Sequence, residues 1–222
     1  MSEKPRISEF VILGERCSGT NFLEALMLNN FEIKINRSFS KHFFGFENYE
    51  NYEKILFIGI IRHPYTWINS LAKYPYHVHP SLRNNLEKFL TVEFTSGGDG
   101  KEFENSRNIY TGERYKNIFE LRKIKLKFLM EDMPKRAINY ILIKYEDLRD
   151  NFEETLEKLK NQFTLVTKPK YPIKIEQYKG RGKIKNEKFK IDTNYLFSKE
   201  EILKNINFDK TLEMKLNYYV LD

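Results

Sequence analysis

Between Glu9 and Leu28 the chain changes character twice. Phe10-Val-Ile-Leu13 is an unbroken apolar run, and three of its four residues are β-branched or aromatic. That composition suits a strand buried on both faces. Gly14 breaks the run, Gly19 follows, and Phe22-Leu-Glu-Ala-Leu-Met-Leu28 reads as a helix. A strand, a glycine-bounded loop and a helix N-terminus in succession make a ready anion site, because backbone N–H groups converge there and the helix dipole favours negative charge. The spacing Gly14-x4-Gly19 is that of a P-loop, but Thr20 stands where the phosphate-binding lysine belongs and Asn21 where the magnesium-binding hydroxyl belongs. The residues support two readings of the loop. One is a site for a phosphate-like group held without that lysine or a metal; the other is an ordinary βα turn that uses glycine for its geometry.

The same alternation continues downstream. Phe31-Glu-Ile-Lys-Ile35 alternates apolar and polar residues, as a more exposed strand does, and Asn36 to Gly45 reads as a loop. Ile55-Leu-Phe-Ile-Gly-Ile-Ile61 is a short, continuous, buried strand; it stops at Arg62-His63-Pro64, where proline bars further pairing and opens a helix over Tyr65 to Ala72. Lys73 to Gly100 is irregular, with a short helix around Leu82 to Leu90 and a mobile loop at Ser96 to Gly100. Asn117 to Met130 predicts a helix with a basic outer face, Ile138 to Ile143 a strand, and Asn151 to Gln162 a helix with Phe152, Leu156 and Leu159 inward. Thr167 to Asp192 is rich in Lys, Pro and Gly without a clear period, and Ser198 to Tyr219 resumes helical spacing. Strands alternating with helices predict an α/β domain with a mainly parallel sheet, with the loops after the first and third strands on one edge.

At 222 residues the chain predicts one domain over 1–222, its core at about 9–165 and a basic segment and helix at 166–222. An apolar fraction of 41% with 15% aromatics fits a folded globule, and the net charge of +7 favours anionic partners. The single cysteine, Cys17, excludes an intrachain disulfide and fits a reducing compartment. No apolar run approaches the length of a transmembrane segment and the start Met-Ser-Glu-Lys-Pro is not a signal peptide, so a cytoplasmic location is expected.

Two anion sites on adjoining strands, one at the glycine loop and one at Arg62 with Ser70 on the following helix, suit a ligand with two separated anionic groups. Here the chain resembles a known family. Gly14-Glu-Arg-Cys-Ser-Gly-Thr-Asn21 resembles the 5′-phosphosulfate loop of sulfotransferases that use 3′-phosphoadenosine 5′-phosphosulfate (PAPS). Arg62-His-Pro-Tyr-Thr-Trp-Ile-Asn-Ser70 resembles their 3′-phosphate motif, and Lys41-His42 their Lys-x-His segment, here without the intervening residue. Tyr145-Glu-Asp-Leu148 resembles a strand end of the family, Tyr74-Pro-Tyr-His77 and Leu121-Arg122 resemble features of its small bacterial and viral members, and Lys179-Gly-Arg-Gly182 resembles its basic, glycine-containing segment.

The resemblance implies a P-loop NTPase-like sulfotransferase fold, a three-layer α/β arrangement whose mainly parallel central sheet is flanked by helices. It implies PAPS as donor, an unidentified hydroxyl or amine acceptor (glycan or small molecule), and no metal. It assigns the donor to Arg16, Cys17, Ser18, Gly19, Thr20, Asn21 and Phe22, to Arg62 and Ser70 for the 3′-phosphate, and to Lys179, Gly180 and Arg181. His42 becomes the catalytic base, expected to titrate near neutrality so that activity falls as it protonates below pH 7. Cys17 stands where the family usually has Lys or Arg, so Arg16 or Lys41 takes that catalytic role. Two other readings stay open: a catalytically inactive nucleotide- or polyanion-binding module, and a small nucleotide or nucleoside kinase. Nucleic acid is not an expected partner, and the sequence leaves the oligomeric state open.

Overall fold

Three apolar runs become neighbours in one sheet. The structure, a computed structural model, describes residues 5–83, 85–98, 101–175, 179–180, 183–184 and 193–218. In chain order its elements are β1 (Glu9–Leu13), α1 (Thr20–Asn30), β2 (Lys34–Ile35), β3 (Ile55–Ile61), α2 (Pro64–Lys73), α3 (Pro80–Arg83), α4 (Leu86–Thr91), β4 (Gly97–Gly98) and β5 (Lys101–Glu102). There follow α5 (Ile118–Lys127), a π-helical turn (Phe128–Asp132), α6 (Met133–Arg136), β6 (Tyr140–Lys144), α7 (Tyr145–Asp150), α8 (Phe152–Phe163), β7 (Lys179–Gly180), β8 (Lys183–Ile184), α9 (Lys199–Leu203) and α10 (Lys210–Lys215). The fold is α/β, with a four-stranded parallel sheet in the order β2-β1-β3-β6 and helices packed on it.

The chain forms two compact units, each assembled from separated stretches. The first contains Met1–His42, Asn48–Arg62 and Met133–Thr193, and with them the sheet. Register sets Phe10 opposite Leu56, Ile12 opposite Ile58, and Ile58 and Ile60 opposite Ile141 and Ile143. This face is covered by Leu23, Leu26 and Met27 of α1, Leu148 of α7, and Leu156 and Leu159 of α8. On the alternate positions Val11 opposes Phe57, whose ring packs against Phe39, Tyr49 and Tyr52. All seven residues of β3 are buried, as a central strand covered on both faces requires, whereas β6 at the edge alternates buried and half-buried positions. The second strand is shorter than its alternation suggests, because Phe31 instead makes an antiparallel bridge to Thr167. Asn30 then fastens the following segment: its Nδ2 donates to the Ile173 carbonyl at 3.0 Å and its Oδ1 accepts from the Ile173 N–H at 2.6 Å.

The second unit contains Phe43–Glu47, His63–Asp132 and Asn194–Asp222. One of its features corrects an expectation from sequence. The helix over Ile118–Lys127 does not present all its cations outward: Lys123 and Lys127 are exposed, but Arg122 and Lys125 are buried. Arg122 makes a two-pronged ion pair with Glu213, through Nε to Oε1 and through Nη2 to Oε2 at 2.8 Å, and its guanidinium lies 5.2 Å from the Trp67 ring centre. The Lys125 ammonium lies 4.1 Å from the Phe44 ring centre. Where the sequence predicts a mobile loop, Gly97–Gly98 pairs antiparallel with Lys101–Glu102, and Asp99 and Gly100 lie outside the described residues. Asn69 of α2 accepts from the N–H groups of Leu196 and Phe197, both at 2.8 Å, and so fixes the start of the last segment. Among the described residues no helix is long and apolar enough to cross a membrane.

Candidate functional site

The loop after β1 is built by close approaches that side chains larger than hydrogen would block. At Gly14 a Cβ would stand 2.6 Å from Ile60 Cγ2 and 2.8 Å from the Ile60 carbonyl, so glycine lets the chain pass tightly over β3. The Ser18 N–H and hydroxyl both donate to the Glu15 carbonyl, at 3.1 and 2.5 Å, closing a turn around Arg16 and Cys17. Arg16 and Glu15 are both buried and their side chains pair at 3.4 Å, so the guanidinium carries its own counter-ion. Cys17 has φ +64 and Gly19 φ +95. At Gly19 a Cβ would also overlap the Tyr145 ring. Helix α1 starts one residue on, with buried Thr20, and its first helical bond runs from the Leu23 N–H to the Gly19 carbonyl at 3.0 Å. We expect Gly19→Ala to cost roughly 2–3 kcal/mol, from left-handed strain plus the ring clash, read as a lower urea midpoint at unchanged m. A loss under about 0.5 kcal/mol would mean that the loop relaxes without penalty.

Besides Tyr145, the side chains of Lys41, His42 and Arg62 reach this loop from elsewhere in the first unit. The Gly14 N–H donates to the Lys41 carbonyl at 3.0 Å, and His42 Nδ1 lies 2.7 Å from the Gly14 carbonyl. A carbonyl only accepts, so Nδ1 carries the proton and Nε2 keeps its lone pair. Burial lowers the His42 pKa from 6.5 to about 4, against the raising effects of the Gly14 hydrogen bond and the Glu15 charge. The expectation of titration near neutrality is therefore corrected: desolvation of the ring, which the sequence does not encode locally, keeps it neutral well below pH 7. The Lys41 ammonium donates to Asn21 Oδ1 at 3.0 Å and to Glu24 Oε2 at 2.8 Å, in the first turns of α1. Arg62, at the end of β3, donates from Nη1 to the Cys17 carbonyl at 3.1 Å and stacks 4.9 Å above the Tyr145 ring centre. Phe22 meets the same ring edge-on, with centroids 6.1 Å apart.

The structure thus gathers Arg16, Cys17, Ser18, Gly19, Thr20, Asn21, Phe22, Lys41, His42 and Arg62 around the start of α1. Ser70 lies on α2 of the second unit, where its carbonyl accepts the Tyr74 N–H at 2.9 Å. Lys179 and Gly180 pair their backbone with Lys183 and Ile184, and Arg181 lies outside the described residues. The other histidines have local settings: His63 packs edge-on to Tyr218, His77 against Phe103, and His79 Nδ1 lies 2.8 Å from Ser81 Oγ. Among the described residues no group of three or more His, Cys, Asp or Glu is placed to hold a metal ion.

Sequence reasoning missed Glu15, Glu24 and the Tyr145 ring as parts of this cluster. For Glu24 a signal existed, since it follows Asn21 by three residues and so shares its helix face. For Tyr145 the contact with Gly19 is purely tertiary. No protein-family model matches the chain, and no curated protein matches it.

Proposed function

We propose that this chain is a cytoplasmic sulfotransferase of the three-layer, P-loop-like type, moving a sulfuryl group from PAPS to a hydroxyl or amine of a glycan or small molecule. The observation that carries the reading is the convergence of Lys41, His42 and Arg62 on the 14–21 loop, each within hydrogen-bond distance of it. The residues fit the donor: a helix N-terminus and loop amides for the 5′ group, and two cations, Lys41 and Arg62, beside them.

Each residue then has a task. The loop amides and the α1 N-terminus hold the 5′-phosphosulfate, and Arg62 takes the 3′-phosphate. His42 Nε2 accepts the acceptor's proton as the acceptor atom bonds to sulfur. The bond from sulfur to the bridging oxygen breaks, its electron pair stays on the 5′-phosphate, and Lys41 meets the charge that develops there. The products are the sulfated acceptor and 3′,5′-bisphosphoadenosine.

A second reading, an inactive anion-binding module, is favoured by one observation: Arg16 is already matched by buried Glu15. A thermal-shift series tests the donor. In the absence of magnesium, 3′,5′-bisphosphoadenosine at a hundredfold excess over its Kd should add about 2.7 kcal/mol, and AMP at the same concentration much less. Equal stabilisation by ATP with magnesium would replace this reading with a kinase. Bisphosphate binding with no transfer to any acceptor class would leave the binding module.

A further inference from the structure

Lys41 sits where elementary electrostatics least favours a cation. Its ammonium contacts Asn21, the second residue of an eleven-residue helix, at the end where the macrodipole is positive. What offsets this is Glu24, one turn further along α1 on the same face. Its two oxygens are divided: Oε2 accepts from Lys41 Nζ at 2.8 Å and Oε1 from Arg37 Nη2 at 2.5 Å. The Glu24 and Lys41 side chains are only 17% and 22% exposed, so this pair is shielded where most surface pairs are not. Burial pushes the Glu24 carboxyl up, but the hydrogen bonds and charges of Lys41 and Arg37 outweigh it and hold the group below the usual carboxylate range. From the backbone side, the Lys41 carbonyl is tied to the Gly14 N–H. Lys41 is therefore fixed at both ends, with its charge aimed at the turn where the anion loop becomes a helix.

We propose that Glu24 is a positioning residue, whose carboxylate holds the Lys41 ammonium at the first turn of α1 against the helix dipole, ready for negative charge that develops at the loop. The use of that lysine in sulfuryl transfer rests on the sulfotransferase reading; the holding itself does not. Glu24 touches no reacting atom in this scheme and acts through Lys41. Since Lys41 is needed most when charge builds on the departing phosphate oxygen, loss of Glu24 should lower kcat more than donor affinity.

The test uses the full chain with Glu24→Gln, Lys41→Met and the double variant. Competitive acetylation by acetic anhydride, read by mass spectrometry at Lys41, should run ~5-fold faster in Glu24→Gln, because the amine is no longer held at 2.8 Å against a shielding carboxylate and is freer to meet the reagent. Sulfuryl transfer should fall ~10-fold in Glu24→Gln while the Kd for 3′,5′-bisphosphoadenosine changes less than ~3-fold. In the Lys41→Met background the Glu24→Gln change should add nothing further, as expected of a residue that acts through the lysine. Unchanged acetylation of Lys41 in Glu24→Gln would overturn the proposal, whatever the protein's activity. A full additional loss in the double variant would overturn it too, since a merely structural glutamate behaves that way. If the wild type transfers no sulfuryl group, the function proposed above fails, and the acetylation result still decides whether Glu24 holds Lys41.

Discussion

Replacing His42 by alanine is expected to lower sulfuryl transfer by ~10²–10⁴-fold, the range for loss of a positioned proton acceptor. Donor affinity is the sensitive part of this experiment. The ring also ties the loop through its Nδ1 contact with the Gly14 carbonyl, so alanine removes a base and a loop bond together. His42→Asn separates the two effects, because a side-chain amide can supply the donor to Gly14 but offers no base at Nε2. If both variants lose rate while only alanine weakens 3′,5′-bisphosphoadenosine, the imidazole acts in the transition state. Transfer surviving in His42→Asn would remove the histidine from the chemistry.

The pH profile carries the same signature. With a pKa of about 4, His42 is neutral from roughly pH 5 upward, so its rate limb should fall only as the pH drops through about 4. A limb near 6.5 would mean that water reaches the ring. Stability should follow a related course. The unfolded chain binds the His42 proton with a pKa near 6.5 and the folded chain does so only near 4. The contribution is thus complete above about pH 6.5 and is lost progressively as the pH falls through about 4. After a discount for the ring's partial exposure, roughly 2 kcal/mol is at stake. The limb should vanish from thermal melts of His42→Asn.

Arg122→Ala is expected to cost ~3–5 kcal/mol in folding stability, the largest such effect we anticipate in this chain. The cause is less the lost contact than the Glu213 carboxylate, left buried with its guanidinium partner gone. Arg122→Lys should recover little, since an ammonium reproduces neither the two-pronged contact nor the stacking on Trp67. The double variant Arg122→Met/Glu213→Leu should recover most of the loss, because it removes both charges while keeping apolar volume. Chemical denaturation of the four proteins measures this. If Arg122→Ala shifts stability by less than about 1 kcal/mol, the pair is better solvated than its burial indicates.

Sequence reading succeeded where a residue's environment follows from its neighbours in the chain. The runs at Phe10–Leu13 and Ile55–Ile61 are apolar throughout, and only a central strand of a parallel sheet buries every side chain in succession. The glycines at 14 and 19 announced a tight loop for the same local reason. Reading failed where the decisive partner is distant. Nothing near Arg122 reveals Glu213, 91 residues away, so a cation on a helix was assigned to the solvent side. The low pKa of His42 comes from tertiary burial, and its neighbours Ser40, Lys41 and Phe43 do not foretell it. Phe31 fits the alternation of a strand, yet a bridge to Thr167 takes the place of pairing within the sheet.

The interleaving of the two units bears on the order in which a growing chain becomes stable during synthesis. Every strand of the main sheet has been made by Lys144, and the helices that cover one face of it by Phe163. The first unit can therefore bury its apolar strands while translation continues. The second cannot follow suit. Arg122 waits for Glu213, and the side-chain oxygen of Asn69 waits for the amides of Leu196 and Phe197. Throughout that interval α2 and α5 hold polar groups that a packed interior would leave unmatched, so they stay hydrated. A nascent chain stalled once Phe163 has emerged from the exit tunnel, and before Glu213 has, should present a protease-resistant sheet together with a cleavable 63–132 stretch, and resistance of that stretch should appear once Glu213 is free of the ribosome.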